Sequence, residues 1–234
     1  NDVSLVLSVV ARVREFADDA RKEQLLDDEF VKQAIQRAVD RAAGFEMEGK
    51  WLEAYTNCYY WLGVIDPNNE AYSDYADQLL DKAQIAASFE DSPCETSKER
   101  YEGIKKEMFV RAVHALSVNY VSLIDYGEMA TKAVNRCKLL AEVMGKQSVL
   151  SLDSKKESDE GEKGPVSPPD KQKLTAWLVA LAAVEDEMKD APTGFNKGNF
   201  MEVFDRVLTL NTSIAQLPEP VLIAQFCEAA LSAL

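Results

Sequence analysis

The chain has 234 residues, 47% hydrophobic and 28% charged, the balance of a globular protein with room for a true core. Its 26 Lys and Arg stand against 40 Asp and Glu, a formal net charge of -14 that repels phosphate backbones and argues against nucleic-acid binding. Cys58, Cys94, Cys137 and Cys227 are widely spaced with no CxxC pair, which excludes the usual zinc and dense-disulfide patterns.

In chain order, Val3, Val6, Val10, Val13 and Phe16 recur at helical spacing and predict an amphipathic opening helix. Asp27 or Asp28 is placed to cap the next one, whose buried stripe is expected at Phe30, Ala34 or Ile35, Ala38, Val39 and Ala42. Gly44 and Gly49 bracket its end. Trp51 opens a third helix with Ala54, Tyr55, Cys58, Tyr59 and Leu62 on its apolar face. Asp66-Pro67-Asn68-Asn69 stops it, since proline offers no amide and turns the preceding residue away from helix. A fourth helix from Glu70 or Ala71 sets Tyr72, Tyr75, Ala76, Leu79, Leu80 and Ala83 inward.

Asp91-Ser92-Pro93-Cys94 interrupts the pattern. Long helices are expected over about 97–120 and about 126–144. Residues 147–170 are Ser, Lys, Glu, Asp, Gly and Pro in the main and cannot repay their ordering entropy, so they read as a flexible linker or loop. Helical spacing returns at Leu174, Trp177, Leu181 and Val184, then at Phe200, Val203, Phe204 and Val207, and finally at Ile223, Phe226, Cys227 and Ala230. No alternating strand pattern of useful length occurs. The expectation is an all-α fold, a bundle or short solenoid of antiparallel helix pairs. Its regions would be 1–146, a linker at 147–170, and 171–234 packing back on the first part. No stretch approaches the roughly 20 apolar residues of a membrane span. The start at Asn1 and the missing stop signal after Ala229 are those expected of a piece of a longer protein.

Chemistry is poorly represented. His114 is the only histidine, and a general base needs a nucleophile and an orienting group beside it. The carboxylate runs Asp27-Asp28-Glu29 and Glu185-Asp186-Glu187 occupy consecutive helical positions, which point in different directions rather than into one cleft. The glycines frame no nucleophile elbow, phosphate loop or dinucleotide fingerprint. No catalytic residue, metal ligand or cofactor site is assigned. Cys58, Cys137 and Cys227 are expected as buried free thiols. The densest feature is aromatic: Trp51, Tyr55, Tyr59, Tyr60, Trp61, Tyr72 and Tyr75. Most of these suit a core between helices. Tyr60, set on the side away from Tyr55 and Tyr59, is with Trp61 and Tyr72 the candidate protein-binding surface.

Two resemblances follow. Gly49-x-Trp51-x-x-Ala54, Tyr59 and Asp66-Pro67-x-Asn69 resemble the second helix of a tetratricopeptide repeat, with one residue more between Gly49 and Pro67 than that repeat usually has. The resemblance covers about 28–88. It implies a helix pair followed by the start of another, with Ala54 where two backbones approach. Phe109, Val113, Leu116, Tyr120-Val121, Ile124-Asp125-Tyr126, Met129 and Ala133 are similar to the helical region before the PDZ and catalytic domains of C-terminal-processing (tail-specific) serine peptidases. A looser copy runs through Phe200, Phe204, Val207, Leu208, Leu217-Pro218, Val221 and Ala224. The family's serine and lysine match no position here. The second likeness implies a non-catalytic interaction or positioning domain, exported with its parent peptidase. The alternative is a free-standing tetratricopeptide-like scaffold. Partners would be a protein or peptide, other domains of the same protein, or a second copy.

Overall fold

The computed structural model describes residues 3–154, 170–189 and 194–234, and among these every regular element is helical. The expectation of an all-α helical bundle holds. The chain forms two compact units, Asn1–Gln84 and Ile85–Leu234. The division falls at 84/85.

The first unit opens with α1 (Val3–Glu15), α2 (Asp19–Asp27) and α3 (Glu29–Met47). Asp18 caps α2 by accepting from the Arg21 amide at 2.9 Å, and Asp28 caps α3 by accepting from Phe30 and Val31 at 2.9 and 3.2 Å. Gly49 ends α3 in the left-handed region at φ 71, where its neighbours close two bonds. The Gly49 amide donates to the Glu46 carbonyl (3.1 Å), and the Lys50 amide to that of Phe45 (2.9 Å). This is a Schellman stop, and it turns the chain straight back.

The returning helix is α4 (Trp51–Ala54), a π turn (Tyr55–Tyr59) and α5 (Tyr60–Ile65) in one run. Trp51, Ala54, Cys58, Leu62 and Ile65 are buried on its inner side, facing a ladder of small residues, Ala34, Ala38 and Ala42, on α3. Alanines four apart leave no bulk between the backbones, so the pair packs closely. Leu7, Val10 and Ala11 of α1 cover the other side of the pair. The first part of α6 (Glu70–Ser88) completes the unit.

The second unit runs from α7 (Ser97–Tyr101) and α8 (Lys106–Asn119) to α9 (Tyr126–Ser154), α10 (Lys171–Lys189), α11 (Lys197–Leu210), a π turn (Asn211–Ala215) and α12 (Glu219–Leu231). Helix α9 is the hub, packing on α12, α10 and α11. Four phenylalanines from α8, α11 and α12 meet at its centre. Phe109 lies 4.8 Å from Phe204, Phe204 5.0 Å from Phe226, and Phe200 5.9 Å from Phe226, ring centre to ring centre. Ring contacts of this kind add to the area they bury.

Several elements differ from expectation. Helix α2 was missed. The helix expected over 97–120 is two, because Gly103 at φ 78 breaks it. Helix α9 continues past Met144 to Ser154, into the segment read as a linker, and 155–169 lie outside the described residues. Phe30, Val13 and Phe16, expected in the core, are exposed; the buried side of α1 is Leu7, Val10 and Ala11.

Helix α11 ends on a clasp. The π turn closes with the Gln216 amide on the Asn211 carbonyl (2.7 Å), and Gln216 then takes a left-handed conformation at φ 54. The Asn211 side chain is buried and engages one residue twice, its Nδ2 donating to the Leu217 carbonyl and its Oδ1 accepting from the Leu217 amide, both at 2.9 Å. Asn211→Ala strands both groups of a buried residue and is expected to cost about 1–3 kcal/mol in urea unfolding. Asn211→Asp, which keeps only the acceptor, is expected to be no less damaging. Equal midpoints for all three chains would remove the clasp from the stability of this unit.

Candidate functional site

Among the described residues, the candidates for chemistry raised above are engaged in structure or stand alone. His114 is exposed on α8. Of the first acidic run, Asp28 caps α3 and Asp27 pairs with Lys32 at 3.2 Å. Of the second, Glu185 meets Lys138, and Glu187 engages Arg206 through both carboxylate oxygens. Hydrogen bonding to Lys138 and Arg206 lowers both carboxyls below their ordinary range. No group of three metal-ligating side chains occurs among the described residues. Burial pushes the Cys58 thiol up to about 11 and the Cys227 thiol up to about 12, and raises that of Cys137 further. A thiol kept protonated at neutral pH is a poor nucleophile.

The aromatic group separates into two sets. Tyr59 has its ring 4.7 Å from Tyr75 and 6.3 Å from Tyr72, joining the returning helix to α6. Tyr60 lies 5.0 Å from Trp61 and 6.1 Å from Tyr55. Tyr60 is 47% exposed and Trp61 partly so. Tyr60 is not turned away from Tyr55, however. A π turn brings residues five apart together, and here the Tyr60 amide donates to the carbonyl of Tyr55, the first residue of the turn. Tyr72 is half-buried and has its ring contact with Tyr59, outside the Tyr60–Trp61 pair. Burial, followed by the nearby carboxylates of Glu46 and Asp66, raises the hydroxyls of Tyr59 and Tyr72 respectively.

One feature of this region escaped the sequence reading. Lys82 of α6 is buried, its ammonium 3.6 Å from Glu46, 5.0 Å from the centre of the Trp51 ring and 5.9 Å from that of Tyr75. Tyr75 donates its hydroxyl proton to the other Glu46 oxygen at 2.8 Å. The signal lay in the spacing, since Lys82 sits three residues after Leu79 on the apolar side of α6.

The residues of the peptidase likeness also divide. Phe109, Val113, Met129 and Ala133 are core, and Tyr126 packs on Phe200 at 6.0 Å. Asp125 accepts from the Glu128 amide at 2.9 Å and so starts α9. Between them Val121 and Leu123 are fully exposed, and Tyr120 donates to the Leu234 carbonyl at 2.7 Å. The apolar side of α1 that carries Val13 and Phe16 is likewise uncovered.

Thiol burial sets a chemical expectation. Cys227, expected as buried, is only half-buried, so in the native chain at pH 8 a thiol-specific disulfide reagent should label the exposed Cys94 promptly, Cys227 more slowly, and Cys58 and Cys137 only on unfolding. Prompt native labelling of Cys137 would mean that the α9 core is open to solvent.

No protein-family model, no curated protein and no solved structure matches the chain.

Proposed function

We propose that this chain is a non-catalytic helical interaction and positioning domain, the N-terminal part of a C-terminal-processing serine peptidase-like protein. The observation that carries this reading is the contrast within the Tyr120–Tyr126 segment. Its flanks are spent on the core, while Val121 and Leu123 project fully into solvent. Bare apolar side chains on a loop anchored at both ends are available to another surface, and that surface would be another domain of the same protein. Export follows only from this reading. Val121→Ser with Leu123→Ser should leave the unfolding free energy in urea within about 0.5 kcal/mol, as exposed sites usually do. The reading frame beyond Leu234 is the direct test. A PDZ-like stretch and a Ser/Lys protease domain support the proposal, and a domain of another kind overturns it.

A second reading, a tetratricopeptide-like scaffold, is favoured by the π turn at Tyr55–Tyr59. A turn closed between residues five apart holds one residue more than an α turn in about the same length. The surplus residue between Gly49 and Pro67 is thereby taken up inside the helix, and the repeat-like Gly-x-Trp-x-x-Ala start and Asp-Pro stop keep their places. Under this reading Ala54, fully buried opposite α3, admits nothing larger, and Ala54→Leu should cost about 1–3 kcal/mol by overpacking. Trp51→Ala should cost about 3–5 kcal/mol through lost burial and a cavity. Tyr60→Ala should stay within about 0.5 kcal/mol. A silent Ala54→Leu beside a severe Tyr60→Ala in the same denaturant melts would sink the repeat reading.

A further inference from the structure

Helix α1 is apolar over most of its circumference, with Ser4, Ser8, Arg12 and Glu15 in a single polar line. Only one side is covered. Leu7, Val10 and Ala11 pack into the unit, while Leu5, Val9, Val13 and Phe16 are 63%, 55%, 53% and 79% exposed. These four are spaced 4, 4 and 3 apart, so they form one stripe of about three turns, roughly 16 Å long. Helix α2 buries none of its residues and walls the stripe on one side. Between the two lies a groove of about 630 Å³, with Val9, Val13, Phe16 and Leu25 lining it.

The charges facing the groove are unlike those of the chain as a whole. They are Arg12, Arg21 and Asp28. Asp28 accepts from two amides at the start of α3, which holds its carboxylate against the helix. Arg21 has only an exposed partner, Asp18, at 3.6 Å, and Arg12 makes no ion pair among the described residues. Two guanidinium groups at the edge of an apolar trough match carboxylates set beside an aliphatic stripe, and such pairs form charge-assisted bonds.

We propose that the α1–α2 groove docks an amphipathic helix of a protein partner, one whose aliphatic stripe is flanked by Asp or Glu. The partner lays i, i+4 and i+7 aliphatic residues on Val9, Val13 and Phe16, and its carboxylates reach Arg12 and Arg21. A second copy fits less well, because two chains of charge -14 repel and α1 laid on α1 sets no carboxylate of that stripe against Arg12. The proposal rests on the interaction-domain reading and names a surface and a partner class for it.

The test uses the whole chain and two fluorescein-labelled model helices of about 14 residues, alike in their leucine stripe, one flanked by glutamates and the other by lysines. The chain's overall charge favours the lysine peptide, so a preference for the glutamate peptide reports the groove. Anisotropy titration should show the glutamate peptide binding at least about 10-fold more tightly. Arg12→Glu with Arg21→Glu should invert the order, and Val9→Ser with Val13→Ser should weaken binding by about 10-fold or more. Phe16→Ser alone serves as a milder variant, and circular dichroism confirms that each variant keeps its helices. Equal or tighter binding of the lysine peptide, or indifference to the valine substitutions, overturns the proposal. So does a dimer that forms without peptide and dissolves on Val13→Ser, since the occupant is then a second copy. Loss of the groove in this way leaves the Val121–Leu123 reading standing, and failure of the peptidase reading leaves this titration unaffected.

Discussion

A lysine ammonium held out of water organises the first unit. Removing a charge from water costs several kcal/mol unless other charges or polarised groups replace the solvent. Around Lys82 the replacements are the Glu46 carboxylate and the faces of Trp51 and Tyr75. Each comes from a different stretch of chain: the end of α3, the start of the returning helix, and α6 itself. The ammonium therefore specifies where three elements meet, in a way that interchangeable leucines would not. It also fixes Glu46 at the Schellman stop, whose geometry decides the direction in which Trp51 leaves. The split of the aromatic group follows. Tyr59, Tyr72 and Tyr75 gather on the side where α6 closes over the returning helix, and Tyr60 and Trp61 stay outside.

The second unit is held differently. Its centre is a meeting of four phenylalanines, in which Phe109 stands edge-on to Phe200, Phe204 and Phe226, a geometry that rings prefer without any charge. Phe109 comes from the first stretch that resembles the peptidase region, and Phe200 and Phe204 come from its looser copy. The two stretches thus meet in one core. That accounts for their apolar spacing without any reference to a partner. It leaves the exposed Val121 and Leu123 as the part of the pattern that packing does not explain.

Helices with one clear apolar stripe were legible in the sequence. The faces of α3, α10 and α11, read from Ala34, Ala38, Ala42, Leu174, Trp177, Leu181, Val184, Phe200, Val203, Phe204 and Val207, are the buried ones. Helix α2 was invisible because it has no such stripe and buries nothing; its Asp18 cap and acidic first turn were its only marks. Gly103 was a legible break that the flanking helical spacing concealed. The π turns left no periodic trace, since one additional residue in a turn shifts the pattern by less than the width of the apolar face. For the candidate surface, exposure at Tyr60 was readable. The grouping of Tyr60 with Tyr55 was not, because it depends on a turn that pairs residues five apart. Lys82 was hidden by its charge, which normally marks a solvated position.

Helix α1 shows where periodicity ceases to decide. When apolar residues cover most of a helix's circumference, two stripes a half-turn apart have equal claims on the core. The reading through Val10, Val13 and Phe16 and the observed face of Leu7, Val10 and Ala11 share only Val10. What marks the buried face is the small residue: Ala11 is buried and lets α1 lie close on α3, while Phe16, just past the end of α1, stays exposed. The stripe left over is as apolar as the one used. Soluble chains seldom leave so long a continuous apolar face open to water, and here two arginines border it. An accidental surplus of valine would need no such border. The proposed helical partner would account together for the three-turn trough and for the cations at its edge on a chain of opposite overall charge.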